Sequence, residues 1–525
     1  MKSLLSAIAL CSLAGTLWAE STGKAVTPEA MKNNKSTAGS TQMIFQHKSV
    51  NLEEIGKLKP MTSHEIKDSP ISIGFECLDR QMFDPERCYE PLGKTGVKWA
   101  RCQTGWSRCE QQKGVYTFEW LDRIVDSLLA QGVKPWFNVG YGNKIYMKDV
   151  YSDAAVGFVP LYYGEETLQA WKNYIRALAQ RYKGKVEYFE IWNESNISNF
   201  WQPKQADPSE YARFIKITAD EIRAVIPDAK IGGCVNTHST WVRSGFVLKL
   251  FRTGIAKELD FFSIHAYCQQ PELNYPKFVA ALRRVMDENG GKHVELWQGE
   301  AGFASWFPPV HQMEPYVFES EHNQAIWMLR RYFLDISLGM KKSSFFQMAD
   351  MMNVYKMANV TKKNPARHGI LDGVNYQPKL SYKTMQHLAV FFDDKTKPAE
   401  LYCAANLRDA LPRYERHPRL IDIAIQTYTY ERNGYPFFAY SLSEDVQYGF
   451  EGIAPLMLAG EKNPALKAIE NPVLVDMFSG KIYRVKNWNV EKFDGLYFFN
   501  ELPLTDYPLV ICDEKALISY ELNSK

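Results

Sequence analysis

The chain has 525 residues, too many for one ordinary core, which implies two or three domains. Apolar residues make up 46% and charged residues 23%, which excludes a disordered or fibrous chain. The net charge of +2 gives no overall field that would favour nucleic acid or an anionic membrane.

In chain order, the first segment is "MKSLLSAIALCSLAGTLWAE". Lys2 followed by an apolar stretch through Ala19 reads as a signal peptide over 1–19, too short to anchor in a bilayer. It implies export, to a periplasmic or extracellular location. Residues 20–41 are rich in Ser, Thr, Lys, Asn and Gly and read as a flexible leader, and 42–69 form an N-terminal extension. From residue 70 to 393 short apolar runs alternate with amphipathic segments. The runs are 71–76 "ISIGFE", 97–103 "VKWARCQ", 134–140 "KPWFNVG", 186–194 "VEYFEIWNE", 229–235 "AKIGGCV", 259–267 "LDFFSIHAY", 293–300 "HVELWQGE" and 343–348 "SSFFQM". Helical spacing is clear in Phe118, Leu121, Ile124, Val125, Leu128 and Leu129, and recurs over 166–183, 208–225, 275–289, 319–339 and 380–392.

Eight strands with intervening helices predict an α/β fold, a (β/α)8 TIM barrel. A doubly wound open sheet competes, but no glycine-rich phosphate turn follows the first strand. Residues 394–525 change character. Runs such as 419–430 "RLIDIAIQTYTY", 436–442, 472–478, 496–500 and 508–512 are short, β-rich and separated by Gly, Asn, Pro and Asp. They predict a C-terminal β-sandwich accessory domain. "QMIFQHKSVNLEE" in the extension can form a strand. The barrel already has its eight, so this strand is expected to pack on the sandwich.

Eight cysteines follow residue 19, and an oxidising compartment would permit disulfides; Cys102 with Cys109 and Cys77 with Cys88 are candidate pairs. Most are expected to be small buried apolar residues. No CxxC pair or His/Cys cluster points to zinc, no GxSxG elbow or phosphate loop occurs, and "HEIKD" lacks a second histidine.

In such barrels chemistry sits at the C-terminal strand ends. In order these ends carry Arg101, Asn138, Asn193 with Glu194, His265 with Tyr267, Glu300, and Gln347. Glu194 and Glu300 end the fourth and seventh strands, which face each other across a narrow mouth. Two carboxylates across a cleft are what glycosidic bond cleavage needs: one lends a proton to the leaving oxygen, the other attacks the anomeric carbon or activates water.

"EIWNES" with "ELWQGEAGF" about 100 residues later resembles clan A of the glycoside hydrolases, nearest to families 39 and 5. "GVKWARCQTGW", "DFFSIHAY" and "GILDGVNYQPKLSYKTMQHLAVFFDD" extend the resemblance over the barrel. It implies a retaining mechanism on β-linked sugars, with Glu194 as acid/base and Glu300 as nucleophile. The carboxyl groups should then lie ~5–5.5 Å apart rather than the ~6.5–9.5 Å of inverting enzymes. It further implies that Asn193 binds the sugar 2-hydroxyl, that Tyr267 reaches Glu300, and that His265 and Arg101 shape the hydrogen bonds around the nucleophile. Asn138 and Gln347 are further binding candidates.

Each residue also has a plain structural reading: a salt-bridged rim Glu, a structural Arg101, a core His265, a packing Gln347. The aromatic content of 14% serves sugar stacking or a large core alike. Trp106, Trp201, Phe303 and Trp306 lie just beyond strand ends, where rings could bind sugar or pack loops. The expected partner is an oligo- or polysaccharide or glycoconjugate, with no nucleic acid, no membrane span, no metal and no organic cofactor. Two other readings stand beside this one: a non-catalytic sugar-binding barrel, and a metal-dependent barrel hydrolase, which ten His and no HxH on the first strand disfavour.

Overall fold

A computed structural model describes residues 50, 52–237, 245–305, 320–352, 366–407, 425–443, 456–491 and 495–523. The expected signal peptide and leader, and Trp306, lie outside these residues. After a strand at Leu52–Leu58 (β1), eight parallel strands close into a barrel in chain order: Ile71–Gly74 (β2), Trp99–Gln103 (β3), Lys134–Val139 (β4), Tyr188–Ile191 (β5), Lys230–Asn236 (β6), Phe261–His265 (β7), Glu295–Ala301 (β8) and Ser343–Phe345 (β9). Each is followed by a helix: Tyr89–Gly93 (α1), Glu119–Ala130 (α2), Glu165–Tyr182 (α3), Pro208–Arg223 (α4), Phe246–Arg252 (α5), Pro271–Glu288 (α6), Glu321–Ser337 (α7) and Leu380–Phe391 (α8).

The helices form where apolar residues recur on one face. In α3, Leu168, Trp171, Ile175, Leu178 and Tyr182 are buried against the barrel. At the start of α4 the Asp207 carboxylate accepts from the Ser209 and Glu210 N–H groups, with Pro208 at the first position. Helix α7 is buried along nearly its whole length because it lies between barrel and C-terminal region. Tyr430 there donates to the Phe333 carbonyl at 2.5 Å.

Strand alternation stacks side chains inside the barrel in layers. The floor is aromatic: Trp99, Trp136, Phe261 and Trp297 are buried together, with Tyr188 beside them. Phe261 and Trp297 stack at 3.9 Å between centroids, and the Lys342 ammonium lies 3.6 Å over the Trp99 ring. Gly232 makes room for this floor, since a β-carbon there would come within 2.2 Å of the Phe261 ring. The layer above is polar and is described below.

The C-terminal region holds Thr396–Pro398 (β10), Cys403–Leu407 (β11), Ile425–Arg432 (β12), Tyr435–Leu442 (β13), Leu456–Glu461 (β14), Pro472–Asp476 (β15), Lys481–Val485 (β16), Trp488–Val490 (β17), Leu496–Leu502 (β18), Leu509–Asp513 (β19) and Tyr520–Leu522 (β20). They form an eight-stranded sheet in the order β10-β12-β13-β19-β15-β16-β1-β20 and a four-stranded sheet β11-β14-β18-β17. Their antiparallel pairings fit a β-sandwich. Strand β1 sits inside the larger sheet, antiparallel to both β16 and β20. Arg432 ties the two regions together, donating to the Phe391 carbonyl and the Asp393 carboxylate at 2.6 Å each.

All eight cysteines are free, so the candidate pairs do not bridge. The Cys102 thiol points to its own strand's Ala100 carbonyl and the Cys109 thiol to the Thr104 carbonyl at 3.2 Å. Among the described residues no helix is long and apolar enough to cross a membrane.

Candidate active site

The barrel's polar layer is built on two backbone irregularities. At the end of β5, Trp192 (φ 67°) and Glu194 (φ 44°) both occupy the left-handed region, which costs on the order of 1–3 kcal/mol for each such residue. The strain is held by packing. The Trp192 indole is fully buried and donates to the Phe200 carbonyl at 2.5 Å, and the Ser195 hydroxyl donates to the Cys234 carbonyl at 2.9 Å. The twist turns Glu194 into the mouth of the barrel.

The second irregularity is in β8. Ile264 pairs with Gln298 but His265 pairs with Glu300, so Gly299 is an extra residue in the ladder. Trp297 points into the barrel, so strict alternation would turn Glu300 outward; the bulge turns it back in. Gly299 is required there, because a β-carbon would lie 2.0 Å from Ser263 Oγ and 3.3 Å from His265 Nε2.

The two irregularities bring Glu194, His265 and Glu300 together, with one polar atom of each within 4.8 Å of the others. The carboxylates are 8% and 14% exposed, enough to meet a ligand and little enough to be screened weakly by water. Tyr267 donates to Glu300 Oε1 at 2.7 Å, and Arg101 Nη1 donates to Glu300 Oε2 at 3.0 Å. Asn236 Nδ2 donates to Glu194 Oε1 at 2.8 Å. His265 Nδ1 lies 2.9 Å from that same oxygen and 3.5 Å from Glu300 Oε2.

Burial pulls the His265 imidazole down to about 4, so the ring is neutral near pH 7. Nδ1 faces carboxylates and must carry the hydrogen; Nε2 is then the acceptor for the Cys234 thiol at 3.2 Å. Beneath, Arg101 is fully buried and reaches Glu76, Glu190, Glu300 and Asn193.

Two groups among the described residues have metal-ligand spacing: Glu190 with Cys234 and His265, and Glu194 with His265 and Glu300. They do not suit a resident cation. The Arg101 guanidinium already contacts both Glu190 and Glu300, so a metal would face a fixed positive charge across one carboxylate oxygen.

The structure thus gathers Arg101, Asn193, Glu194, His265, Tyr267 and Glu300. His265 stands nearer Glu194 than Glu300, so its hydrogen bond belongs chiefly to the former. Asn138 is fully buried and donates to Glu190 Oε1 and the Trp192 carbonyl, which makes it a support beneath the mouth. Gln347 is likewise fully buried, and neither end of its amide has a partner among the described residues.

Trp106 requires correction as a binding residue. It is fully buried, its indole donates to Glu110 at 2.6 Å, and it stacks on Tyr146 and Tyr174, packing the segment between β4 and α3 onto the barrel. Trp201 is also buried, donating to the Tyr162 hydroxyl, and Phe303 stacks on Trp327.

Sequence reading overlooked Glu76, Glu190, Cys234 and Asn236. A signal existed for Glu190, which lies two residues before Trp192 on the inward face of its strand. Glu76 closes the apolar run "ISIGFE" and was readable in the same way.

Residues 95–293 match the model of the glycosyl hydrolases family 39; Glu194 lies in that span and Glu300 just beyond it. A β-xylosidase of Geobacillus stearothermophilus is 28% identical over 172 residues, 30% of this chain and 32% of that one. The match therefore spans about a third of the relative's length. Among solved structures, a family 39 glycoside hydrolase of Bacteroides cellulosilyticus WH2 superposes with a TM-score of 0.62 at 17% identity, covering 87% of this chain and 83% of the other. A family 39 enzyme of Xanthomonas axonopodis pv. citri gives 0.52 at 15% identity, covering 87% and 95%. Sequence over the middle of the barrel matches the family 39 model, and the fold over most of the chain is similar to that of family 39 glycoside hydrolases.

Proposed function

We propose that the chain is a retaining glycoside hydrolase of the β-xylosidase type, with Glu300 as nucleophile and Glu194 as acid/base. The observation that carries this is that one oxygen of Glu194 and one of Glu300 lie within 4.8 Å of each other, a closeness that favours the ~5–5.5 Å arrangement of retaining enzymes over the ~6.5–9.5 Å that leaves room for a water. The xylose assignment rests on the named β-xylosidase relative.

In the first step a Glu300 oxygen bonds to the anomeric carbon as the glycosidic C–O bond breaks, and Glu194 passes its proton to the leaving oxygen. In the second, Glu194 takes a proton from water as the water oxygen displaces Glu300 from carbon. The donors are arranged for both. Tyr267 and Arg101 each donate to one Glu300 oxygen, which fixes the carboxylate in place for attack. Asn236 and His265 converge on Glu194 Oε1, so the transferred proton rides on Oε2. Asn193 accepts from Arg101 through Oδ1, which leaves its Nδ2 to serve as the donor for the sugar 2-hydroxyl.

The test is hydrolysis of a panel of aryl β-glycosides followed by proton NMR. The expected result is turnover of the β-xyloside with β-xylose as the first-formed product. α-Xylose appearing first would overturn the mechanism, and exclusive turnover of another sugar would overturn the substrate. Export also belongs to the proposal, on the strength of residues 1–19. N-terminal sequencing of protein recovered outside the cytoplasm should begin near Glu20, and full-length protein confined to the cytoplasm would contradict it.

A further inference from the structure

Arg101 is surrounded by more acid than one guanidinium can neutralise. Its Nη1 lies 2.5 Å from Glu76 Oε2 and 3.0 Å from Glu300 Oε2. Its Nε and Nη2 reach Glu190 Oε1 at 3.1 and 2.5 Å. Three carboxylates share one positive charge, and Glu76 and Glu190 are 1% and 0% exposed.

The donors are shared unequally. Glu190 Oε1 takes Arg101 Nε, Arg101 Nη2 and Asn138 Nδ2. Glu300 has Arg101 on one oxygen and Tyr267 on the other, with His265 at 3.5 Å. Glu76 has Arg101 Nη1 alone, and its Oε1 is buried with no hydrogen-bond partner among the described residues. Glu190 Oε2 is bare as well, but Glu190 takes three donors on its other oxygen where Glu76 takes one, so an anion on Glu76 is the least compensated of the three.

We infer that Glu76 stands in the resting enzyme as a neutral carboxylic acid and is a positioning residue: its Oε2 holds Arg101 Nη1 against the nucleophile without adding a charge that competes for it. The inference rests on the proposed role of Glu300. Burial pushes the Glu76 carboxyl well above the usual range; Arg101 pulls it down, while Glu300 and Glu190 push it up. The neighbouring thiols of Cys77 and Cys102 are themselves held uncharged by burial. From β9, Gln347 presents a neutral amide: a β-carbon on Gly74 would lie 2.9 Å from Glu76 Oε1 and 3.3 Å from Gln347 Cβ. With Glu76 neutral, Arg101 balances Glu190, and the one negative charge left over is the charge of the nucleophile.

The test compares wild type with Glu76→Gln, which keeps an oxygen for Nη1. Infrared difference spectra in neutral buffer should show the carbonyl stretch of a protonated carboxylic acid in wild type and its loss in the variant. The acid limb of the kcat/KM profile should hold its place to within about 0.3 unit. Glu76→Ala, which frees Nη1, should lower kcat about tenfold or more. No such band, or an acid limb displaced downward by about one unit or more, is the signature of an ionised Glu76 and overturns the inference. An unchanged kcat in Glu76→Ala overturns the positioning role. If Glu76→Gln does not fold, neutron diffraction of wild type decides, with deuterium expected on the Glu76 carboxyl. The infrared and neutron arms need no turnover, so they fail separately from the proposed activity.

Discussion

Glu194 carries a different task in each half of the proposed reaction, and its neighbours set the balance between its two states. Asn236 donates to Glu194 Oε1 at 2.8 Å, and a donor on a carboxylate favours the charged form. Removing it should raise the Glu194 carboxyl. In Asn236→Ala the basic limb of the kcat/KM profile is expected to move up by about half to one unit; a basic limb that stays in place would deny the contact any influence. Replacing Glu194 with Gln should slow hydrolysis by about 10²–10⁴-fold with poor leaving groups and far less with good ones, measured across a series of aryl glycosides. At this scale the sequence displayed the carboxylates at the strand ends but not what surrounds them. Glu76 and Glu190 lie within apolar runs, where a charge reads as a rim residue until its buried Arg101 partner is seen. Trp106 follows a strand end as a sugar-binding ring would, yet Glu110 and Tyr146 draw it into the core.

The eight barrel strands and the long helices were legible because their apolar residues repeat with periods of 2 and 3.6. What the periods could not reveal are the departures from them: the left-handed pair at Trp192 and Glu194 and the bulge at Gly299, which together aim both carboxylates. Short pieces with little periodic signal were missed as well, among them α5, β10, β11, β14, β17 and β20. The floor beneath the site should be the stiffest element of the barrel. Trp297→Ala leaves a void beside Phe261 and Trp136 and should cost about 3–5 kcal/mol, read from denaturant melts. A loss below about 1 kcal/mol would mean that the aromatic layer closes around the gap.

At the scale of the whole molecule, barrel and C-terminal region meet along a seam that includes His387, whose Nδ1 lies 2.9 Å from the Met477 carbonyl. Burial chiefly pulls this imidazole down to about 4, against roughly 6.5 in an unfolded chain. Between those values the unfolded chain holds a proton that the native one refuses. Stability therefore falls as pH drops from about 6.5 to about 4 and is retained above that window, with a contribution of at most about 3 kcal/mol. Melts of wild type and His387→Gln should diverge across that window, wild type falling faster; parallel curves would contradict the burial of a neutral ring. Above all, the proposed mechanism requires a covalent bond between Glu300 and the sugar. Inactivation with a 2-deoxy-2-fluoro β-xyloside that has a good leaving group, followed by mass spectrometry of the digested protein, tests this directly. The expected result is one fluorosugar adduct on the peptide bearing Glu300; hydrolysis with no adduct, or an adduct on another residue, would contradict it.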